Sequence, residues 1–247
     1  MPMTLAHPMA VLPLRGLGLP ATAMVVGSMV PDIPVFLNWY GTYQLSHSLL
    51  GIVTWDLVVA TIVTFLWFVA VRDAAVDLAP TRIRERLVPH VCVTRTEWLL
   101  TPVAAAVGSA THVLWDSFTH VGRWGPRHIE WLAVEHHGLL GLKWAQYTSG
   151  VVGLTVVTVV VVLHLRSLAP LPGPRPRPVL PPVVLPLVIV GALIAGTVAA
   201  IRKTSFGFRD MAFDGVVHSL IALVVLGALA CVAWHVTRAL DSVESRP

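Results

Sequence analysis

Charge is what this sequence has least of: Asp, Glu, Lys and Arg make up 12% of its 247 residues, against roughly a quarter in soluble domains. A water-soluble globular fold is excluded on that ground alone. Cysteine is almost absent, with only Cys92 and Cys231, so there is neither a disulfide framework nor a zinc knuckle, and the redox compartment stays open. The chain also lacks the glycine-rich phosphate loop ending in Lys-Ser/Thr, the dinucleotide fingerprint, the Gly-x-Ser-x-Gly elbow and the His-Glu-x-x-His helix. Nor do the 17 basic residues behind the net charge of +4 form a stripe. They are spread over every loop, which fits membrane orientation and lipid headgroup contact and argues against a nucleic-acid partner.

What the sequence has instead is apolar length, with 55% hydrophobic residues. A hydrocarbon core about 30 Å thick needs roughly 20 apolar helical residues. Five runs qualify: Leu49–Val71, Trp98–Phe118, Ser149–Leu165, Val179–Ile201 and Asp214–Thr237. None alternates with the period of a membrane barrel, so the predicted fold class is all-α, a polytopic transmembrane helical bundle of about five spanning helices. A sixth block, Met9–Val30, is broken by Pro13, Arg15, Gly16, Gly18 and Pro20. It reads as an N-terminal interfacial or re-entrant helical element. No secretory signal is expected there, because no basic residue precedes Arg15 and no small-residue cleavage site follows.

The whole chain, 1–247, then forms one membrane domain. It divides into an N-terminal block (1–48), three spans (49–165), a proline-rich connector (166–182), two spans (183–237) and a tail (238–247). The connector, "PLPGPRPRPVLPP", is expected to be extended and to order little beyond itself. A short helix is expected around Thr81–Leu87. Another should start at Pro126 and end at Gly138, with Trp124, Trp131 and Trp144 in the aromatic belt. Ten Lys and Arg lie on the side of the 72–97 loop, the connector and the C-terminus, and seven on the other. The first side is therefore expected in the cytoplasm and the 119–148 loop outside.

Against this background, "SATHVLWDSFTH" is anomalous, because it carries His112, Asp116 and His120 at intervals of four. Four residues turn a helix by about 400°, so the three share one face. Ionisable groups inside a membrane cost several kcal/mol and mark a bundle interior, a cavity or a pairing partner. Two such side chains one turn apart can converge on one metal ion. His120 lies about 12 Å along the axis from His112; it joins the same ion only if the helix ends near Ser117, and otherwise serves a second ion or an outer position. If the 9–30 block does not cross, His7, Asp32 and His47 reach the same interface, with Pro31 and Pro34 bracketing Asp32. Asp56 is a further intramembrane acid, either paired with a neighbouring span or chemically active. His164, His218 and His235 read as interface residues. Glu135, His136 and His137 read as a solvated loop or lid.

In combination, "MTLAHPMAVLPLR", "VVGSMVPDIPVFL", "SHSLLGIVTWDL", "GSATHVLWDSFTH" and "KWAQYTSGVVGL" resemble the bacterial integral-membrane family called domain of unknown function 4184, from residue 1 to about 235. That resemblance brings no activity with it. More distantly, the order of an N-terminal His, a Pro-Asp turn, a His-Ser pair and a His-x-x-x-Asp step is similar to the inner-membrane metal-dependent hydrolases. The last step also occurs in zinc-dependent phospholipases C. By that similarity His7, Asp32, His47, His112 and Asp116 are metal ligands. The chain departs from the hydrolases in lacking an Asp-x-Asp-His extension and in having His120 after the pair.

The resemblance implies a multi-pass protein of the bacterial cytoplasmic membrane. The more distant similarity implies a metal-dependent hydrolase holding zinc or a similar divalent ion, and an interfacial site suits a lipid or lipid-linked phosphoester, with membrane lipids as partners. His120 or Asp116 is the candidate general base, and Arg15 and Arg123 are the candidate substrate contacts. Two readings of another class stay open: a structural metal or proton relay in a non-catalytic membrane protein, and an interaction scaffold with a purely structural polar cluster.

Overall fold

The structure is a computed structural model that describes residues 4–173 and 175–244. Five helices in it are long and apolar enough to cross a membrane: Trp55–Leu78, Arg95–Thr119, Gly141–Ser167, Val184–Arg202 and Phe208–Ser242. The all-α, polytopic character expected from the apolar runs is thus present. The first span starts later than the run beginning at Leu49, for a local reason. Ser48 accepts a hydrogen bond from the backbone of Gly51 and caps a separate short helix, Leu49–Val53, after which Thr54 leaves helical geometry. The second span begins with a reciprocal capping box, in which Thr94 and Glu97 satisfy each other's backbone N–H.

Ahead of the first span the chain is a series of short pieces, none of spanning length. A 3-10 segment, Thr4–Leu17, leads into helix Ala21–Gly27, a 3-10 turn Val30–Asp32, and short helices Ile33–Phe36 and Tyr40–Ser46. Pro8, Pro13 and Pro20 remove N–H donors at the spacing that prevents a continuous α-helix here. The 119–148 loop departs from the single helix expected between Pro126 and Gly138. It holds two short helices, Trp124–His128 and Glu130–Ala133, and then a two-stranded hairpin pairing Glu135–His136 with Leu139–Leu140. The turn residues His137 (φ 51°) and Gly138 (φ 85°) both lie in the left-handed region, the geometry a two-residue hairpin requires. His136 stacks on Trp131 at 4.8 Å and donates to its carbonyl.

The described chain divides into two compact units, residues 4–65 with 93–164 and residues 66–92 with 165–244. In the first, helix Ala21–Gly27 lies directly on the second span. A Cβ on Gly27 would sit 2.2 Å from the carbonyl oxygen of Ala105, and one on Gly108 would sit 2.1 Å from that of Met24. Small residues let two backbones touch, the contact by which helices associate where lipid offers no hydrophobic drive. Ser109 Oγ donates across this seam to the carbonyl of Gly27 at 3.1 Å. Ala23, Met24, Val11 and Ala104 pack on one side of it, and Val26, Val30, Ala60 and Ala105 on the other.

In the second unit, the fourth and fifth spans pack through small residues, with Ala192, Gly196 and Ala199 buried. The proline-rich connector is tied down by hydrogen bonds, with Asp77 as one anchor. That carboxylate accepts hydrogen bonds from Arg84, the Val179 backbone and Trp234 Nε1. Arg84 also donates to the carbonyl of Pro176, and Arg175 to that of Leu87. Proline carbonyls accept what proline nitrogens cannot donate, so the segment is held from outside rather than by its own backbone.

Replacing Gly108 by Ala forces the touching backbones apart, at a cost of about 1–3 kcal/mol. It should lower the midpoint of thermal unfolding in detergent. Gly227→Ala, with open space around the added carbon, should leave the midpoint unchanged or raise it.

Candidate metal centre

The seam between helix Ala21–Gly27 and the second span ends at a carbonyl that turns a histidine. His112, fully buried, has its Nδ1 2.8 Å from the carbonyl oxygen of Ser28. A carbonyl only accepts, so Nδ1 carries the proton and Nε2 presents its lone pair on the other side of the ring. His47 is oriented in the same way. Its Nδ1 lies 3.1 Å from the Tyr43 carbonyl and 3.0 Å from Ser46 Oγ, whose own proton goes to the carbonyl of Pro31 at 2.8 Å. Tyr43 packs against the His47 ring at 4.0 Å.

These two clamps aim both Nε2 atoms at each other, 3.3 Å apart. Two carboxylates complete the convergence. Asp116 Oδ2 is 3.3 Å from His47 Nε2 and 3.5 Å from His112 Nε2, while Asp32 Oδ1 is 3.7 and 3.6 Å from the same atoms. One ligand atom from each of Asp32, His47, His112 and Asp116 lies within 4.8 Å of the others, and all four residues are buried. Asp32 is presented by the Val30–Asp32 turn, and its outer oxygen accepts a 2.6 Å hydrogen bond from Thr4 Oγ1. Two imidazole nitrogens and two carboxylate oxygens are a donor set that suits a divalent transition ion. The tautomer locks on backbone carbonyls match the outer partners that orient metal-binding histidines.

The electrostatics follow from this crowding. Burial pushes the Asp32 carboxyl up, but His112 and His47 outweigh it and hold the group below its usual range. Burial pushes His47 down, and Asp116 and Asp32 reverse that, leaving it above the ordinary imidazole value. For His7, burial and the neighbouring His112 outweigh Asp116 and Asp32 and push it down to about 4.

The remaining sequence candidates fall around this core. His7 stacks on His112 with ring centres 3.8 Å apart, and its Nε2 faces Asp116 Oδ1 at 3.7 Å. Its Nδ1 is buried without a hydrogen-bond partner among the described residues. The second span runs on to Thr119, so His120 is its C-cap and not a residue of its last turn. The extended backbone there folds the ring back, with Nδ1 3.3 Å from Asp116 Oδ2. His120 Nε2 meets the side-chain amide of Gln146 at 3.0 Å, and Lys143 Nζ donates to Gln146 Oε1 at 2.7 Å. Hydrogen bonds thus run from Lys143 through Gln146 to His120, whose Nδ1 lies against Asp116. Arg123 donates to the carbonyl of His47 at 2.8 Å. Arg15 is exposed near the end of the 3-10 segment and lines neither cavity at the centre. Asp56 is completely buried, and neither carboxylate oxygen has a hydrogen-bond partner among the described residues.

Two spaces adjoin the cluster. A small internal one, about 10 Å³, is lined by His7, Asp32, Asp116, His120 and Gln146 among others, which is room for about one water. A larger open cleft of about 640 Å³ lies beyond His120, which lines both. Sequence reasoning missed Thr4, Ser46 and Gln146. A glutamine in an apolar span is a signal of a buried polar partner; Thr4 and Ser46 carry no such mark.

The family model described as Domain of unknown function (DUF4184) matches residues 1–236. No curated protein and no solved structure matches the chain significantly.

Ser46→Ala would leave the buried carbonyl of Pro31 without its donor. The expected loss is about 1–3 kcal/mol of stability, read as a lower unfolding midpoint of the purified protein.

Proposed function

The chain belongs to the DUF4184 family, and we propose that it is a membrane-embedded, metal-dependent hydrolase acting on a lipid or lipid-linked phosphoester at the membrane interface. One observation carries this reading. Two imidazoles locked with Nδ1 protonated point Nε2 atoms at each other across 3.3 Å, between two buried carboxylates. Four such atoms converging in an apolar bundle suit a divalent ion, which offsets the charge of both carboxylates at once.

Asp32, His47, His112 and Asp116 hold the ion in this proposal, with His7 as the fifth group beside Asp116. A divalent ion such as zinc supplies Lewis acidity, the chemistry that acidifies water near neutral pH and polarises a phosphoryl oxygen. The protein's own part is orientation and proton handling. Ser28, Tyr43 and Ser46 fix the two ligand rings, and Thr4 fixes Asp32. The space beside His7 and Asp116 has room for about one water next to the cluster, which favours a catalytic site over a closed structural one. His120 bridges Asp116 and Gln146, so it accepts or returns a proton only when the Gln146 amide yields its Nε2. Asp116 remains the second candidate base. Of the two arginines singled out for substrate, Arg123 lines the adjoining cleft and Arg15 does not.

Elemental mass spectrometry of detergent-purified protein should find about one to two equivalents of zinc or a similar ion per chain, lost in both His112→Ala and Asp116→Ala. Well-folded wild type that takes up no metal even after reloading would sink the proposal. Thr4→Val, which removes only the hydrogen bond to Asp32, should weaken metal binding by about 10–100-fold without unfolding the protein. With the metal in place, wild type should release phosphate or a headgroup from phospholipid or lipid-phosphate substrates, and both alanine variants should be inactive.

A further inference from the structure

The cleft beyond His120 has a charge pattern that names its ligand more narrowly than an interfacial site does. Arg123, Arg127 and Lys143 line it together with His120 and His128, and no Asp or Glu does among the described residues. In a chain with only 17 Lys and Arg in all, three around one opening is a concentration. They arrive from two elements: Arg123 and Arg127 from the N-cap and body of helix Trp124–His128, and Lys143 from the first turn of the third span. Backbone geometry holds the turn ahead of Arg123 open, since Gly122 has a φ of 73°.

Nor is the cleft isolated from the centre. Arg123 donates to the backbone of His47, a residue of the cluster, and Lys143 reaches Asp116 through Gln146 and His120. The rim is apolar and open, with Val121 71% and Trp124 53% exposed, so an acyl or polyprenyl chain can leave sideways into lipid while its polar end stays in the cleft.

We infer that this cleft is a receptor for a terminal phosphate, making the substrate a lipid phosphomonoester or pyrophosphate and not a zwitterionic phosphodiester. A terminal phosphate brings about two negative charges to three cations and offers its oxygens to the planar guanidinium forks. A phosphodiester with an ammonium headgroup brings one negative charge and adds a cation to a cleft that has no carboxylate to receive it. Arg127 and Lys143 thereby become specificity-determining residues alongside Arg123. This inference rests on the hydrolase reading for its chemistry, but the receptor itself needs no metal.

Calorimetric titration of the full-length protein in detergent with three soluble probes separates the possibilities: dihexanoyl phosphatidic acid, dihexanoyl phosphatidylcholine and inorganic phosphate. Metal content is measured on the same samples. Phosphatidic acid should bind about tenfold or more tightly than phosphatidylcholine, and each of Arg127→Gln and Lys143→Gln should cost about tenfold of that affinity while metal content and unfolding midpoint stay unchanged. Inorganic phosphate should bind more weakly than phosphatidic acid and lose affinity in the same variants. Phosphate binding as tightly as the lipid would overturn the lipid as the source of the group. Equal binding of the two lipids, or undiminished binding of phosphatidic acid by the double variant, would overturn the receptor. Metal-free wild type that still selects phosphatidic acid would keep the receptor and remove the hydrolase, so the two failures are distinct.

Discussion

Backbone contact between helix Ala21–Gly27 and the second span is the constraint on which the rest of the site depends. Gly27 against Ala105 and Gly108 against Met24 leave no space for a Cβ, so the two helices meet at main-chain distance. That closeness delivers the Ser28 carbonyl to His112, and the carbonyl fixes the tautomer. Moving the helices apart by the width of one methyl group would leave His112 Nδ1 without its partner and free the ring to turn. Orientation of His112 in this protein is therefore a consequence of glycine packing about one turn away, before any ion is considered.

The second consequence of that seam is electrostatic. An apolar bundle tolerates Asp32, His47, His112 and Asp116 only as a set, since each group is stabilised by opposite charge or hydrogen bonds from the others. Outer partners come from five separate segments: Thr4 for Asp32, Ser46 and Tyr43 for His47, Ser28 for His112, and His120, itself held by Gln146, for Asp116. Such a shell gives rigidity to first-contact groups. One member of it, His120, lines both the internal space and the cationic cleft. Asp56 stands apart from this economy, as a buried carboxyl with no hydrogen-bond partner among the described residues.

Much of this was legible in the sequence, for identifiable reasons. Apolar runs of about 20 residues have few alternatives to spanning helices, and the structure has five such helices. The four-residue step from His112 to Asp116 survives because helical periodicity is local. Asp32 and His47 were reachable by a topological argument, namely that a proline-broken block does not cross. The helix break at Thr54, the hairpin at His137 and Gly138, and the anchoring of the proline connector by Asp77 were not legible. Each turns on a single backbone conformation or a hydrogen bond over many residues of separation, and neither leaves a periodic trace.

The sequence by itself determined the solvent, the element type and the inventory of chemistry, because low charge, apolar length and helical spacing are properties of neighbours along the chain. Only the tertiary structure decided which nitrogen of each histidine faces inward, that Gln146 and Thr4 serve the cluster, and that Arg127 and Lys143 stand at its mouth while Arg15 does not. Those outcomes depend on distances between residues as far apart as Ser28 and His112. Such distances are set by how closely two backbones can approach, a quantity that no single stretch of sequence contains.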